Sequence, residues 1–296
     1  MSVFDSGTRT LISPAQLGRP RGRAVYWAVL ASVIVVFTLV FLGPLYWMVT
    51  AGFKSTHEVI SNPPTLFPQD PDPGTYAAAW RHLHLGRLLL NSAYYAFGAL
   101  AFQLVFDVAA AYSLSRLRPV FGRAILGLML ATLMIPAAVL IVPQYLTVVD
   151  LPIVHISLIN TPWAIWLPTV ANAFNIFLLK RFFDSIPQEL LAAASIDGAS
   201  PLQTLWRIVL PMSRPILGVV SIFAVVNVWK DFLWPFLVLP DPTKQPVNIG
   251  INSLSLNVAL NEIVAGLTIA SIPTLILFLL FQRNIMSGLT AGSLKG

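Results

Sequence analysis

The sequence predicts an all-α integral membrane protein with about six transmembrane helices, and three observations predict it. Hydrophobic residues make up 56% of the 296-residue chain and charged residues only 10%, against roughly a quarter charged in soluble domains. The mean hydropathy is +0.77. The apolar residues also gather into runs long enough to cross a bilayer, which takes about 20 mostly apolar residues per helix. Cysteine is absent, which excludes a disulfide framework, a cysteine zinc site, thiol chemistry and a lipobox anchor.

Six segments qualify as spans: about 25–49, 88–113, 122–146, 161–180, 215–238 and 262–282. The first follows Arg19, Arg21 and Arg23 and so has the charge pattern of a signal peptide. Its run is longer than a signal h-region of about 7–15 residues and no small-x-small site closes it, so it reads as a retained span. Pro44, Pro136, Pro168, Pro235 and Pro273 fall inside or near the ends of these runs and read as kinks, which neighbouring membrane helices tolerate. The expected organisation is a tail over 1–24, a transmembrane domain over 25–283 and a second tail over 284–296.

A pI of about 9.8 would suggest nucleic acid in a soluble chain; here the placement of the charges says more. With the N-terminus inside, thirteen Lys and Arg fall on cytoplasmic segments and four on outer ones, with Lys230 within a span. That asymmetry places both termini in the cytoplasm by the positive-inside rule. His57, His82, His84 and His155 all land at the outer side and read as solvated or interfacial residues. The outer loop 51–87 carries Pro63, Pro64, Pro68, Pro71 and Pro73. It reads as an extended connection ending in a short helix near Tyr76–Leu83.

The most informative stretch is the cytoplasmic loop 184–211 between the fourth and fifth spans. Ser185 followed by Gln188 is a capping-box pattern, with Pro187 tolerated in the first turn. Gln188–Ile196 is a run of good helix formers, and Gly198 is placed to stop it in a left-handed cap. Ser200-Pro201-Leu202-Gln203 repeats the start signal for a second helix reaching Leu210, with Pro211 ending it. The prediction is helix, glycine break, helix, lying along the membrane surface. Caps of this kind serve a structural linker equally well.

This loop resembles the EAA loop of binding-protein-dependent ABC importer permeases, whose pattern is Glu-Ala-Ala, a glycine a few residues on, then Ile-x-Leu-Pro. Ala193 and Ala194 match the alanines, Gly198 the glycine and Ile208-Val-Leu210-Pro211 the end. Ala192 stands where the motif has its glutamate, which removes the salt bridge made there to the ATPase subunit; Glu189, one turn earlier, is the candidate substitute. Gly43–Ser55 is similar to the end of the family's first span, and Gln282–Gly296 to the terminus of the maltose-type second permease of the carbohydrate-uptake branch.

The resemblance covers residues 25–296 and implies a type I ABC importer permease fold in a bacterial plasma (inner) membrane. It implies four partners besides lipid: a second, similar permease, two ATPase subunits and an external solute-binding protein. Glu189, Ala192, Ala193, Ala194, Asp197, Gly198, Leu210 and Pro211 would couple to the ATPase, and Leu289, Thr290 and Gly292 of the tail would reach toward it. No Gly-x4-Gly-Lys-Ser/Thr occurs, so the chain has no phosphate cradle of that kind. ATP and magnesium would belong to the partners, and the chain itself would carry no cofactor, metal or catalytic residue.

Polar groups inside spans mark candidate path residues, because charge in a membrane faces the bundle interior or water. The fifth span ends in Asn227-Val-Trp229-Lys230-Asp231-Phe-Leu-Trp234-Pro235, and Gln103 and Asp107 lie four apart on the second. Trp229 and Trp234 have rings suited to stacking on a sugar, and are equally ordinary as interface-belt residues. The expected function is the permease of a sugar or oligosaccharide importer. Glycerol phosphate or another polar solute is the nearest alternative. An ion-coupled secondary transporter would predict inverted repeats, and the two halves are not similar. A membrane-embedded enzyme finds no His/Asp/Ser constellation.

Overall fold

The computed structural model describes residues 20–291, with side chains through residue 282. The tail side chains Leu289 and Thr290, and Gly292, lie outside the described residues. Every regular element described is helical. Three helices are long and apolar enough to cross a membrane: α1 (Pro20–Ala51), α4 (Leu85–Tyr112, continued by a π turn to Leu117) and α14 (Leu260–Ala291). Between α1 and α4 come two short helices, α2 (Thr56–Val59) and α3 (Gly74–His82).

Two further candidate spans are sharply bent. The helix α5 (Gly122–Thr132) meets α6 (Ala137–Val149) at 104°, and α10 (Pro201–Met212) meets α11 (Arg214–Lys230) at 83°. Pro136 is therefore a break and not a kink: it sits in extended backbone as the N-cap of α6, where it cannot continue the helix of the preceding residues.

The expected single span over 161–180 is corrected to two helices, α7 (Trp163–Thr169) and α8 (Ala173–Ser185). The break is made by Asn172, whose extended backbone and side-chain oxygen cap α8 by accepting the Asn175 N–H at 3.0 Å. Beyond it follow α9 (Gln188–Ile196), α12 (Leu233–Val238) and α13 (Val247–Leu254).

The bundle centres on α4, which packs against α11 and α8, while α14 packs against α11, α3 and α1. Lipid is as apolar as leucine, so helices in a membrane associate through close packing of small residues. Ala96, Ala99 and Ala111 of α4 are fully buried, and a Cβ at Gly98 would overlap the Trp166 indole. That indole donates its N–H to the Tyr95 carbonyl at 3.1 Å. By contrast, none of the apolar window of α1 is buried, and α5 has no buried residue. Those faces suit lipid or another chain.

The loop over 51–87, expected on the outer side, is more folded than an extended connection. Glu58 Oε1 accepts hydrogen bonds from Thr65 Oγ1 (2.7 Å) and the Gln69 N–H (3.1 Å). Lys54 is buried, and its ammonium donates to the Thr65 carbonyl. Asn261 Nδ2 ties the loop to the start of α14 by donating to the Lys54 carbonyl at 3.0 Å.

Candidate functional site

The loop between α8 and α11 is built almost wholly from local cap chemistry. Pro187 takes an extended conformation as the N-cap of α9. The expected Ser185–Gln188 box is absent: Ser185 is still part of α8, and its hydroxyl bonds back to the Phe182 carbonyl at 2.7 Å. At the other end, Gly198 has φ +77°. The Ala199 N–H donates to the Ala194 carbonyl at 2.9 Å across this turn, the wide hydrogen bond of a glycine-terminated helix.

Ser200 and Gln203 form a complete capping box, with the Gln203 N–H on Ser200 Oγ (3.3 Å) and the Ser200 N–H on Gln203 Oε1 (2.8 Å). Pro211 does not end α10. The helix takes a π turn at Leu205–Val209, carries Pro211 in its last turn and stops at Ser213.

One side of this helix pair is cemented to the bundle. Leu205 and Val209 enter a core with Ile176, Leu179 and Phe183 of α8, and Ala194 is buried. Leu210 is half-buried. The other side is open: Glu189, Ala192, Ala193, Asp197, Gly198 and Pro211 are exposed. Beside them stand Ile196 (86% exposed), Leu202 (63%) and Trp206 (65%), an apolar face that nothing among the described residues covers.

The polar residues of the second candidate region divide into two groups. Asn227 and Lys230, three apart on α11 and so on one face, are exposed, and Asp231 is half-exposed. Trp229 and Trp234 are buried among the chain's own residues. The Trp234 indole N–H donates to the Ala164 carbonyl at 2.9 Å, and the Trp229 carbonyl accepts from Asn248 Nδ2 at 2.9 Å. Neither ring face is open to a solute in this arrangement. Gln103 and Asp107 are interior residues, 4% and 0% exposed. Asp107 Oδ1 accepts the Asn172 N–H at 2.9 Å.

The sequence family described as binding-protein-dependent transport system inner membrane component matches residues 92–290. The chain belongs to that family. Among the relatives of this permease is the diacetylchitobiose uptake system permease protein NgcG of Streptomyces coelicolor, 29% identical over 90% of this chain and 89% of that protein. Another is the sulfoquinovosyl glycerol transport system permease protein SmoH of Agrobacterium fabrum, 32% identical over 90% and 92%. A chain from the crystal structure of a bacterial ABC transporter for import of the acidic polysaccharide alginate superposes with a TM-score of 0.77. It covers 90% of this chain and 98% of that one at 24% identity, a likeness that establishes the fold.

Several residues that organise the permease's loop escape a sequence reading. The Tyr112 hydroxyl donates to the Pro201 carbonyl at 2.8 Å, pinning the start of α10 to the end of α4. Arg116 donates to the carbonyls of Phe183 and Ile186, the last at 3.0 Å, and so satisfies the frayed end of α8. Asp184 accepts from Ser115 Oγ at 2.7 Å and pairs with Lys180 at 2.6 Å. In the sequence Arg116 and Lys180 count only as positive charge. The single available signal is the i, i+4 spacing of Lys180 and Asp184.

Proposed function

We propose that this permease forms half of a translocation path for a sugar or oligosaccharide, with its basic end in the cytoplasm. A second, similar permease supplies the other half, an external binding protein delivers the solute, and two ATPase subunits drive the cycle with ATP and magnesium. The observation that carries the coupling role is the exposed half of the α9–Gly198–α10 pair. Its inner side is packed on α8, so a push on the outer side is transmitted to the bundle and not absorbed by a loose loop.

The residues that meet the ATPase are Glu189, Ala192, Ala193, Asp197 and Gly198, with Trp206 and Ile196 beside them. Ala194, Leu210 and Pro211 set the shape behind them, and the tail residues Leu289, Thr290 and Gly292 add a second contact. ATP binding shifts the bundle only as far as the ATPase grips its two states differently. In the path, Asn227, Lys230 and Asp231 face the solute, while Trp229, Trp234, Gln103 and Asp107 hold the wall from behind. The exposed Lys230 favours a second reading of the cargo, a polar solute with an acidic group such as glycerol phosphate.

The test is purification of the tagged chain from its native membrane together with uptake assays. An ATPase should co-purify, and uptake should stop when that ATPase is inactivated. Ion-gradient-driven uptake by the chain alone in vesicles would overturn the reading.

A further inference from the structure

At the basic end of the bundle, a cavity of about 670 Å³ opens between the end of α4, the start of α5 and the flank of α8. Four cations line it: Arg116, Arg118, Arg123 and Lys180. The lining has one carboxylate, Asp184, already held by Lys180 and by the Ser115 hydroxyl. The three arginines form no ion pair among the described residues. Arg116 spends its donors on neutral carbonyls and keeps a buried Nε without a partner. Arg118 gives one N–H to the Ser115 carbonyl at 3.3 Å. At the N-terminus of α5 the cap residue Phe121 offers no side-chain acceptor; the Gly122 N–H closes a turn on the Pro119 carbonyl at 2.8 Å, and the Arg123 N–H on the same lining has no backbone partner among the described residues.

Leu114, Val120 and Leu126 add an apolar side to the same lining. The turn between the two apolar helices is only a few residues long, so these arginines cannot stand far from the membrane surface. Its tip exposes Val120 (95%) and Phe121 (72%), an apolar lip against a cationic floor. A soluble anion has no use for such a lip, whereas a phospholipid has both parts. Basic pockets between membrane helices suit anionic headgroups for this reason.

We propose that this cavity is a binding site for an anionic phospholipid: Arg118, Arg123 and the α5 N-terminus take the phosphate, and the Val120–Leu126 side takes the start of the acyl chain. Gln188, at the beginning of α9, also lines it, so an occupied site braces the loop against the bundle.

The test is native mass spectrometry of the purified transporter titrated with phosphatidylglycerol or with phosphatidylethanolamine. Phosphatidylglycerol should be retained preferentially, and Arg118→Gln or Arg123→Gln should lower its retention about fivefold or more, the scale of one lost surface cation. Arg181→Gln removes a nearby cation that stacks on Phe177 and does not line the cavity, and it should leave retention unchanged. Thermal unfolding of each variant checks that the fold is intact. Equal retention by the cavity variants, no preference between the two lipids, or displacement of the lipid by inorganic phosphate at the same concentration would each overturn the proposal.

Discussion

Asp107 of α4 accepts the backbone N–H of Asn172 at 2.9 Å, and it does so while fully buried. Asn172 in turn caps α8, so one carboxylate in the middle of a membrane helix secures the break in its neighbour. Asp107→Ala should strand that N–H and destabilise the permease by about 1–3 kcal/mol, read as a lower unfolding midpoint. Asp107→Asn keeps an oxygen acceptor and should retain most of the stability. If the alanine variant instead kept its midpoint and changed only uptake, the residue would belong to the path and not to the frame.

Gly198 occupies φ +77°, a region that costs an L-residue roughly 1–2 kcal/mol and that proline, fixed near −65°, cannot enter. Gly198→Pro should abolish co-purification of the ATPase while membrane insertion remains normal. Gly198→Ala should weaken it to an intermediate degree. A pull-down from solubilised membranes reads both, and normal transport by the proline variant would refute the helix-break role.

The capping box offers a graded version of the same test. Ser200→Ala removes the acceptor for the Gln203 N–H and should cost roughly 0.5–2 kcal/mol of local helix stability. Hydrogen exchange across residues 200–205 should speed up before global unfolding changes. Unchanged exchange there would mean that the core contacts of Leu205 and Val209 alone hold α10 in place.

The loop was legible because its signals are local. Gln188–Ile196, the turn at Gly198 and the start at Pro201 all follow from residues within four positions of one another. The features that escaped are set from afar or by competing local chemistry. The break at Asn172 depends on Asp107, 65 residues away, and hydropathy sees only an apolar run over 161–180. Ser185 carries a good capping pattern, but Pro187 takes the cap and leaves the hydroxyl to bond backward. Trp229 and Trp234 look alike in sequence to path aromatics; only packing shows that both are covered.

Trp206 is 65% exposed on α10, beside Leu202 and Ile196, yet it belongs to a loop otherwise fixed to the core. A large aromatic open to solvent contributes little to the fold of the isolated chain, and such residues concentrate binding energy at interfaces. Trp206→Ala should therefore leave the unfolding midpoint of the isolated permease unchanged and reduce ATPase recovery severalfold. A loss of midpoint without ATPase present would show that the ring packs internally.

Lys230 is exposed on the same face of α11 as Asn227 and makes no ion pair among the described residues. A charge in a span that is not paired within its own chain faces either water in the path or a group on the second permease. The two placements separate in one variant. If Lys230 faces the path, Lys230→Gln should assemble and unfold like the parent, and uptake of an acidic solute should fall about tenfold. That matches the loss of one charge-assisted hydrogen bond worth roughly 1.5 kcal/mol, and uptake of a neutral sugar should be little affected. If Lys230 instead pairs with the second permease, the same change leaves that partner's carboxylate desolvated and alone. Recovery of the partner then drops, and neutral and acidic solutes suffer alike.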